Sequence, residues 1–406
     1  MRAAIRQIVE RHLGERRQLL GVLRDIQREF RCVSSDAITI VAEEMDLSRV
    51  HVEGTATFYH FLSSDHRGRN TIYLNTSATA EMAGSAAVAA AFEEAAGTAF
   101  GHTTADQALG LYTTSCIGMC DQEPAALVDD VVFTRLTPDR ARVLVAGLKA
   151  GKSPADLIGA LGDGANASPV IHAEVTNNIR HPGPVFFAPW TAGAALTRTL
   201  DVSSLEVIER VKRSGLRGRG GAGFPTGSKW AFCRSTEAES RYVICNVDEG
   251  EPGTFKDRVL MTERAEQVFE GMAIAGYAVE ATRGLVYLRA EYAYLRPHLE
   301  QVLRSMKART LLWTPHSREC VQLRHPYSHG CRRVYLRRGI RPGSKSAEGK
   351  RGTPRNRPPF PVVSGYRRRP TIVNNPETSG LPPASCWKAQ TGSVQWALKH
   401  RLASSC

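Results

Sequence analysis

Residues 214–258 read SGLRGRGGAGFPTGSKWAFCRSTEAESRYVICNVDEGEPGTFKDR, and this stretch decides the fold of the chain. Gly218, Gly220 and Gly223 satisfy G-x-G-x-x-G, Arg217, Arg219 and Lys229 lie among and beyond them, and no acidic residue falls between Ser214 and Trp230. A glycine-dense cationic loop brings backbone N–H groups close to a phosphate and surrounds it with positive charge. The dinucleotide fingerprint of that form follows a strand and opens a helix. Here Ser204–Lys212 precedes the loop, with Leu205, Val207, Ile208 and Val211 at helical spacing. The ordinary Rossmann context is therefore missing, which leaves a phosphate cradle of another design, or a plain flexible turn.

The second half of the stretch narrows this choice. Tyr242–Cys245 is a short β-branched apolar run that reads as a buried strand, and it leads into Asn246, Asp248, Glu249, Glu251 and then Pro252-Gly253. An amide and three carboxylates at a strand end offer acceptors for ribose or ribityl hydroxyls. The bland alternative is a solvated acidic loop. Phosphate donors beside hydroxyl acceptors describe a nucleotide site.

GLRGRGGAGFPTGxKW followed by YxICNxDEGEPGTFKDR closely resembles the flavin- and NADH-binding subunits of respiratory complex I, NAD-linked hydrogenases and formate dehydrogenases. That resemblance implies bound FMN with NADH stacked on it. It places Arg219, Gly220, Gly221, Ala222, Phe224 and Lys229 along the cleft and Phe232 on the adenine side, with Asn246, Asp248, Glu249 and Glu251 bonding flavin and nucleotide. It also implies that hydride passes between cofactors without a protein acid or base, so no catalytic triad is expected.

The net charge of +13 is local: residues 309–370 carry sixteen Lys/Arg and two acids, so the rest of the chain sums to −1. No folded basic motif with interleaved aromatics accompanies that charge, which argues against nucleic acid as the partner. No apolar run approaches 18 residues, and the N-terminus lacks an apolar core and carries Glu10 and Glu15, so neither a membrane span nor a secretion or transit signal is expected. Nine cysteines, scattered and odd in number, fit a reduced compartment. Cytoplasm is the expected location.

Residues 1–65 show apolar spacing for about three small helices, and His51 and His60 read as packing or surface histidines. Residues 66–150 then alternate strand-like and helix-like text: Thr71–Leu74, Ala83–Glu94, Leu109–Thr113, Ala125–Asp129, Val131–Leu136 and Pro138–Leu148. Their order suggests a thioredoxin-like domain. TATFYHF, CIGMCDQEPA and LVDDVVFTRLTP resemble the small [2Fe–2S] subunit of complex I, fused here ahead of the flavin domain as in the diaphorase subunits of NAD-reducing hydrogenases. That cluster needs four thiolates, as C-x₄-C and C-x₃-C. Cys116 and Cys120 keep the second pair, whereas Asn75 and Ala80 stand where the resemblance puts the first, so no conventional [2Fe–2S] cluster is expected and Cys116 and Cys120 read as a remnant.

Residues 151–195 read as a linker and 196–308 as the FMN/NADH-binding domain, with a helix at Glu263–Val279, a strand at Gly284–Arg289 and a helix at Tyr292–Met306. Residues 309–347 lose all periodicity where the family has GAGAYICGEE-like text. The match returns over 348–378, where Asn374, Asn375 and Thr378 fit VNNxET and imply contacts to the flavin phosphate. It dissolves again over 379–406. A shifted reading frame, or a basic insertion that docks an acidic partner, would each give this pattern. Cys320 and Cys331 lack metal-ligand spacing. The family's C-terminal helical bundle with its [4Fe–4S] cysteines is absent from this sequence.

The expected architecture is therefore α/β: an N-terminal helical segment and thioredoxin-like domain, then a Rossmann-like FMN domain of unusual order, incomplete at its C-terminal end. The expected function is NAD(H)–FMN electron transfer in a cytoplasmic hydrogenase complex, with other diaphorase and hydrogenase subunits as partners. The alternatives are the equivalent subunit of complex I or formate dehydrogenase, and an inactive truncated product that serves as an assembly scaffold.

Overall fold

The computed structural model describes residues 1–59, 61–309, 311, 321–324 and 360–381. His60, Cys320, Cys331, most of the basic segment, residues 348–359 and the tail from residue 382 lie outside the described residues. The described residues form two compact units: residues 1–176 with 250–255, and residues 177–249 with those described from 256 onward.

The first unit starts with four helices, α1 (Arg2–Arg11), α2 (Leu19–Phe30), α3 (Ser35–Glu44) and α4 (Arg49–Ala56). Ser34 and Ser48 start α3 and α4 by accepting the N–H of Ala37 and His51. The fourth helix escapes a periodicity reading because it buries only Val52 and Ala56 and carries Thr and Gly. Next come β1 (Asn70–Asn75), α5 (Ala78–Met82), α6 (Ser85–Ala96), β2 (Leu109–Thr114), β3 (Ala126–Val128), β4 (Val131–Phe133) and α7 (Pro138–Lys149). The sheet order is β2-β1-β3-β4, with β1 parallel to β2 and the other pairs antiparallel. Phe92, Leu109, Leu111, Phe133 and Leu144 are fully buried between this sheet and its helices. The Asp129 carboxylate accepts from Asn70 Nδ2 and the Thr71 N–H, which fastens the β3–β4 turn to β1. Beyond α7 the chain stays packed: Ile171, Ala173 and Val175 are fully buried, and the Glu174 N–H bonds the Val132 carbonyl. Much of the stretch that reads as a linker thus serves as wall.

The second unit comprises α8 (Ala194–Leu200), α9 (Ser204–Arg213), α10 (Thr226–Ser235), β5 (Tyr242–Val247), α11 (Lys256–Glu263), α12 (Ala265–Val279), β6 (Arg283–Leu288), α13 (Arg296–Ala308), β7 (Val321–Arg324), β8 (Thr371–Asn374) and α14 (Pro376–Gly380). All pairs in its sheet are parallel, in the order β7-β6-β5-β8. A parallel sheet is buried on both faces, and α12 is apolar almost all round, with twelve of its residues buried.

Three expectations change. The helix expected over Glu263–Val279 is α12, which starts two residues later, and a separate helix, α11, precedes it across Arg264. Tyr292 lies in a 3₁₀ turn, Ala290–Leu295, ahead of α13. The text without periodicity supplies β7, whose four residues are too few to register as alternation. Gly227 is a packing glycine: a Cβ there would sit 2.6 Å from the Lys212 backbone nitrogen, so only glycine lets α10 approach α9 this closely.

Candidate functional site

Strands β5, β6 and β7 succeed one another in a single direction, and β8 returns to the opposite side of β5. The order of the sheet reverses between β5 and β8, and ligands of open parallel sheets bind at the carboxyl ends of strands flanking such a switch. The register pairs Cys245 with Asn374, so Asn246–Glu249 and Asn375–Thr378 leave the sheet side by side.

The glycine loop faces the same edge. Gly218 N–H bonds the Phe224 carbonyl and Thr226 N–H bonds the Leu216 carbonyl, closing a short hairpin that opens into α10. Arg219 N–H donates to Thr378 Oγ1 at 2.8 Å, and a Cβ on Gly220 would lie 3.6 Å from Asn375 Cβ. Gly221 has φ +108 and no atom within 4 Å of its would-be Cβ. Lys229 Nζ donates to the Val373 carbonyl at 2.8 Å, and burial pulls its ammonium down to about 8. Sequence positions 219–229 and 373–378 are thus one place in space. Ala222 and Phe224 are exposed on the loop, and Phe232 is exposed on α10.

Asn374 is 2% exposed, and neither oxygen nor nitrogen of its amide has a partner. An orphaned buried amide costs about 1–3 kcal/mol and calls for a ligand or water. Asn375 is occupied: its Oδ1 accepts from the Glu377 N–H and Lys256 Nζ, and its Nδ2 donates to Asp257 Oδ2 at 2.6 Å. Lys256 also pairs with Asp257 and Glu377, so α11 and α14 are tied through charge.

Glu249 has an internal role. Its carboxylate accepts the N–H groups of Asp257 and Arg258 in the first turn of α11, and the Tyr292 hydroxyl at 3.0 Å. A carboxylate at a helix N-terminus satisfies orphan donors and the helix dipole together. Arg289 forms a two-pronged ion pair with Glu291 and donates to the Glu249 carbonyl; its side chain is 2% exposed. Asn246 Oδ1 accepts the Asp248 N–H. Glu251 is exposed in the segment that groups with the first unit, and the network just described is built without it. Sequence reasoning missed Lys256, Asp257, Arg289 and the hydroxyl of Tyr292. For Arg289 the available signal was a charged residue directly after an apolar strand, β6.

Burial pushes the Asp248 carboxyl up to about 7 from 3.8; nearby Glu291 adds to the rise and Arg289 opposes it. The folded chain therefore holds a proton at this position that the unfolded chain releases near pH 4. Unfolded chains bind fewer protons across that window, so this group's contribution to stability falls as pH rises from about 4 to about 7. Asp248→Asn is expected to make the decline shallower in denaturant titrations across that range. An unchanged slope would place the Asp248 carboxyl in water.

In the first unit, Cys116 Sγ and Cys120 Sγ lie 3.1 Å apart in the loop after β2. Asn75 ends β1, pairs in register with Thr114 of β2, and donates Nδ2 to the Glu123 carboxylate. Asn75 and Ala80 are fully buried. Two thiols, a buried amide and a methyl do not make the four-thiolate set of a [2Fe–2S] centre. Among the described residues, no group of three or more His, Cys, Asp or Glu is placed to hold a metal.

Residues 5–149 match the thioredoxin-like [2Fe–2S] ferredoxin family, and residues 211–380 match the Nuo51 FMN-binding domain. The chain is thus a unit similar to thioredoxin-like [2Fe–2S] ferredoxins followed by an α/β unit similar to the Nuo51 FMN-binding domain. In particular, it is related to the alpha subunit of the NAD-reducing hydrogenase HoxS of Cupriavidus necator, with 42% identity over 382 residues, 93% of this chain and 63% of that protein. It is also similar to a component of the NADH-quinone oxidoreductase of Rhizobium meliloti, 40% identical over 44% of this chain and 42% of the relative. A crystal structure of an NAD⁺-reducing [NiFe]-hydrogenase in the H₂-reduced state superposes with a TM-score of 0.73 at 33% identity, covering 91% of this chain and 62% of the other. The chain therefore spans less than two thirds of the relatives it matches along its length. No helix among the described residues is long and apolar enough to cross a membrane.

Proposed function

We propose that this chain is the NAD(H)-reacting, FMN-binding diaphorase subunit of a cytoplasmic NAD-reducing hydrogenase, working beside partner subunits that carry iron–sulfur clusters. The observation that carries this reading is the orphaned amide of Asn374 at the β5/β8 switch, beneath an open glycine loop. The residues present fit FMN. Backbone N–H groups at Gly220 and Gly221 would take the phosphate with Lys229, while Asn374, Asn246 and Asp248 would take ribityl or ring polar atoms. Thr378 and Asn375 hold the two sides of the cleft at a fixed spacing. Glu249, committed to the start of α11 and to Tyr292, orients the loop that carries Asp248. Glu251, Phe224 and Phe232 are assigned to the NADH side on the strength of the resemblance alone. When bound, FMN supplies the conversion between hydride and single-electron transfer; the protein supplies position and exclusion of water. The hydrogenase assignment, rather than complex I or formate dehydrogenase, rests on the fused two-unit architecture and on similarity that runs through both units.

The test is anaerobic addition of NADH to the FMN-loaded full chain. Loss of the oxidised-flavin absorbance within the mixing time is expected. Flavin that stays oxidised under a tenfold excess of NADH would overturn the proposal.

A further inference from the structure

The first unit keeps two of the four sulfurs that its family uses for a cluster and fills the other two places with groups that bind no iron. We propose that Cys116 and Cys120 instead form a reversible dithiol–disulfide couple, oxidised by a low-molecular-weight or protein disulfide.

The geometry carries this assignment. The 3.1 Å between the sulfurs is closer than van der Waals contact, and closing to a bond of about 2.05 Å needs a shift of only about 1 Å. Gly118, at φ +84, turns the three-residue span back on itself so that both side chains meet. Each sulfur accepts a backbone N–H: Gly118 donates to Cys116 at 3.3 Å and Gly253 donates to Cys120 at 3.2 Å, within the same unit. Such donors favour thiolate. Cys116 is 2% exposed while Cys120 is partly accessible, so the pair has an attacking and a resolving member. Other described thiols are poorly suited: burial pushes Cys233 up to about 12, and Cys245 higher still.

The Glu123 carboxyl, raised by burial to about 7, senses the charge of Cys120. The Cys120 thiolate attacks one sulfur of the external disulfide, breaking that bond and releasing one thiolate. The Cys116 thiolate then attacks Cys120 Sγ, forming the internal bond and releasing the second. The two cysteine protons end on the two released thiols, so atoms and electrons balance. The asparagine at position 75 fits this chemistry: its Nδ2 donates to Glu123 and its Oδ1 accepts the Ser77 N–H, so its amide is engaged and is no thiolate donor.

The test uses the full chain, equilibrated in oxidised and reduced glutathione at several ratios, alkylated and digested with trypsin. The fragment 70–135 contains both cysteines and no other. Its two alkyl groups are expected to vanish together at one ratio and to return on reduction, while Cys116→Ser, lacking the resolving thiol, stops at a mixed disulfide of Cys120 with glutathione and forms no internal bond. Persistent double alkylation at the most oxidising ratio, or a disulfide linking two chains, would overturn the proposal. So would a stoichiometric reduced [2Fe–2S] spectrum after supply of iron and sulfide that is lost in Cys116→Ser.

Discussion

Gly221→Val is expected to weaken FMN binding by roughly 100-fold or more while the chain stays folded. Gly221 holds φ +108, a conformation that β-branched residues do not adopt, and the space beyond its would-be Cβ is open. Valine there has nothing to collide with, so the loop relieves its strain, of order 1–3 kcal/mol, by turning its peptide. The N–H groups then leave the cradle. Hydrogen bonds from backbone donors to a charged group contribute about 1.5–3 kcal/mol each, and losing two of them accounts for the expected factor. Gly218 supplies the control. Its would-be Cβ lies 3.5 Å from the Phe224 carbonyl oxygen, an ordinary contact, and its φ is unremarkable. Gly218→Ala should bind FMN within about threefold of the native chain, a shift under about 1 kcal/mol. Equal loss in both variants would mean that the loop is a passive turn.

Arg289→Met is expected to destabilise the second unit by about 3–5 kcal/mol, because removing one member of a buried ion pair leaves the other charge uncompensated. Arg289 and Glu291 are 2% and 8% exposed, and the guanidinium also holds the Glu249 carbonyl beneath the site. The double variant Arg289→Met/Glu291→Leu should recover much of the loss, since apolar side chains of similar volume often replace a buried pair at little cost. Urea midpoints of the two variants measure this. A single-variant loss below about 1 kcal/mol would mean that water reaches the pair.

Features that are local in sequence were legible in the residues themselves. The glycine loop, the β5 strand with its acidic end and the order of elements in the first unit all follow from spacing and residue type. What is non-local was not. The strand-order reversal depends on β8 lying beside β5, and no pattern within residues 371–374 says which strand they pair with. Glu249 reads as a ligand carboxylate because its use at the start of α11 requires a chain reversal through Gly250–Phe255. Arg289 and Tyr292 are separated from Glu249 by about forty residues, and only packing brings them into one network. Residues 157–175 read as a linker from their Gly, Asn and Ser content, yet they bury Ile171 and Val175 because the edge beyond β4 needs cover.

If the β5/β8 switch under the glycine loop binds a flavin, it does so through the phosphate, and titration of FMN and riboflavin into the full chain, followed by flavin fluorescence, separates the two contributions. Saturation at one FMN per chain is expected, with riboflavin weaker by about 100-fold, since the phosphate contacts contribute roughly 3 kcal/mol. No quenching by either flavin, or equal affinity for both, would contradict a phosphate-anchored flavin at this switch.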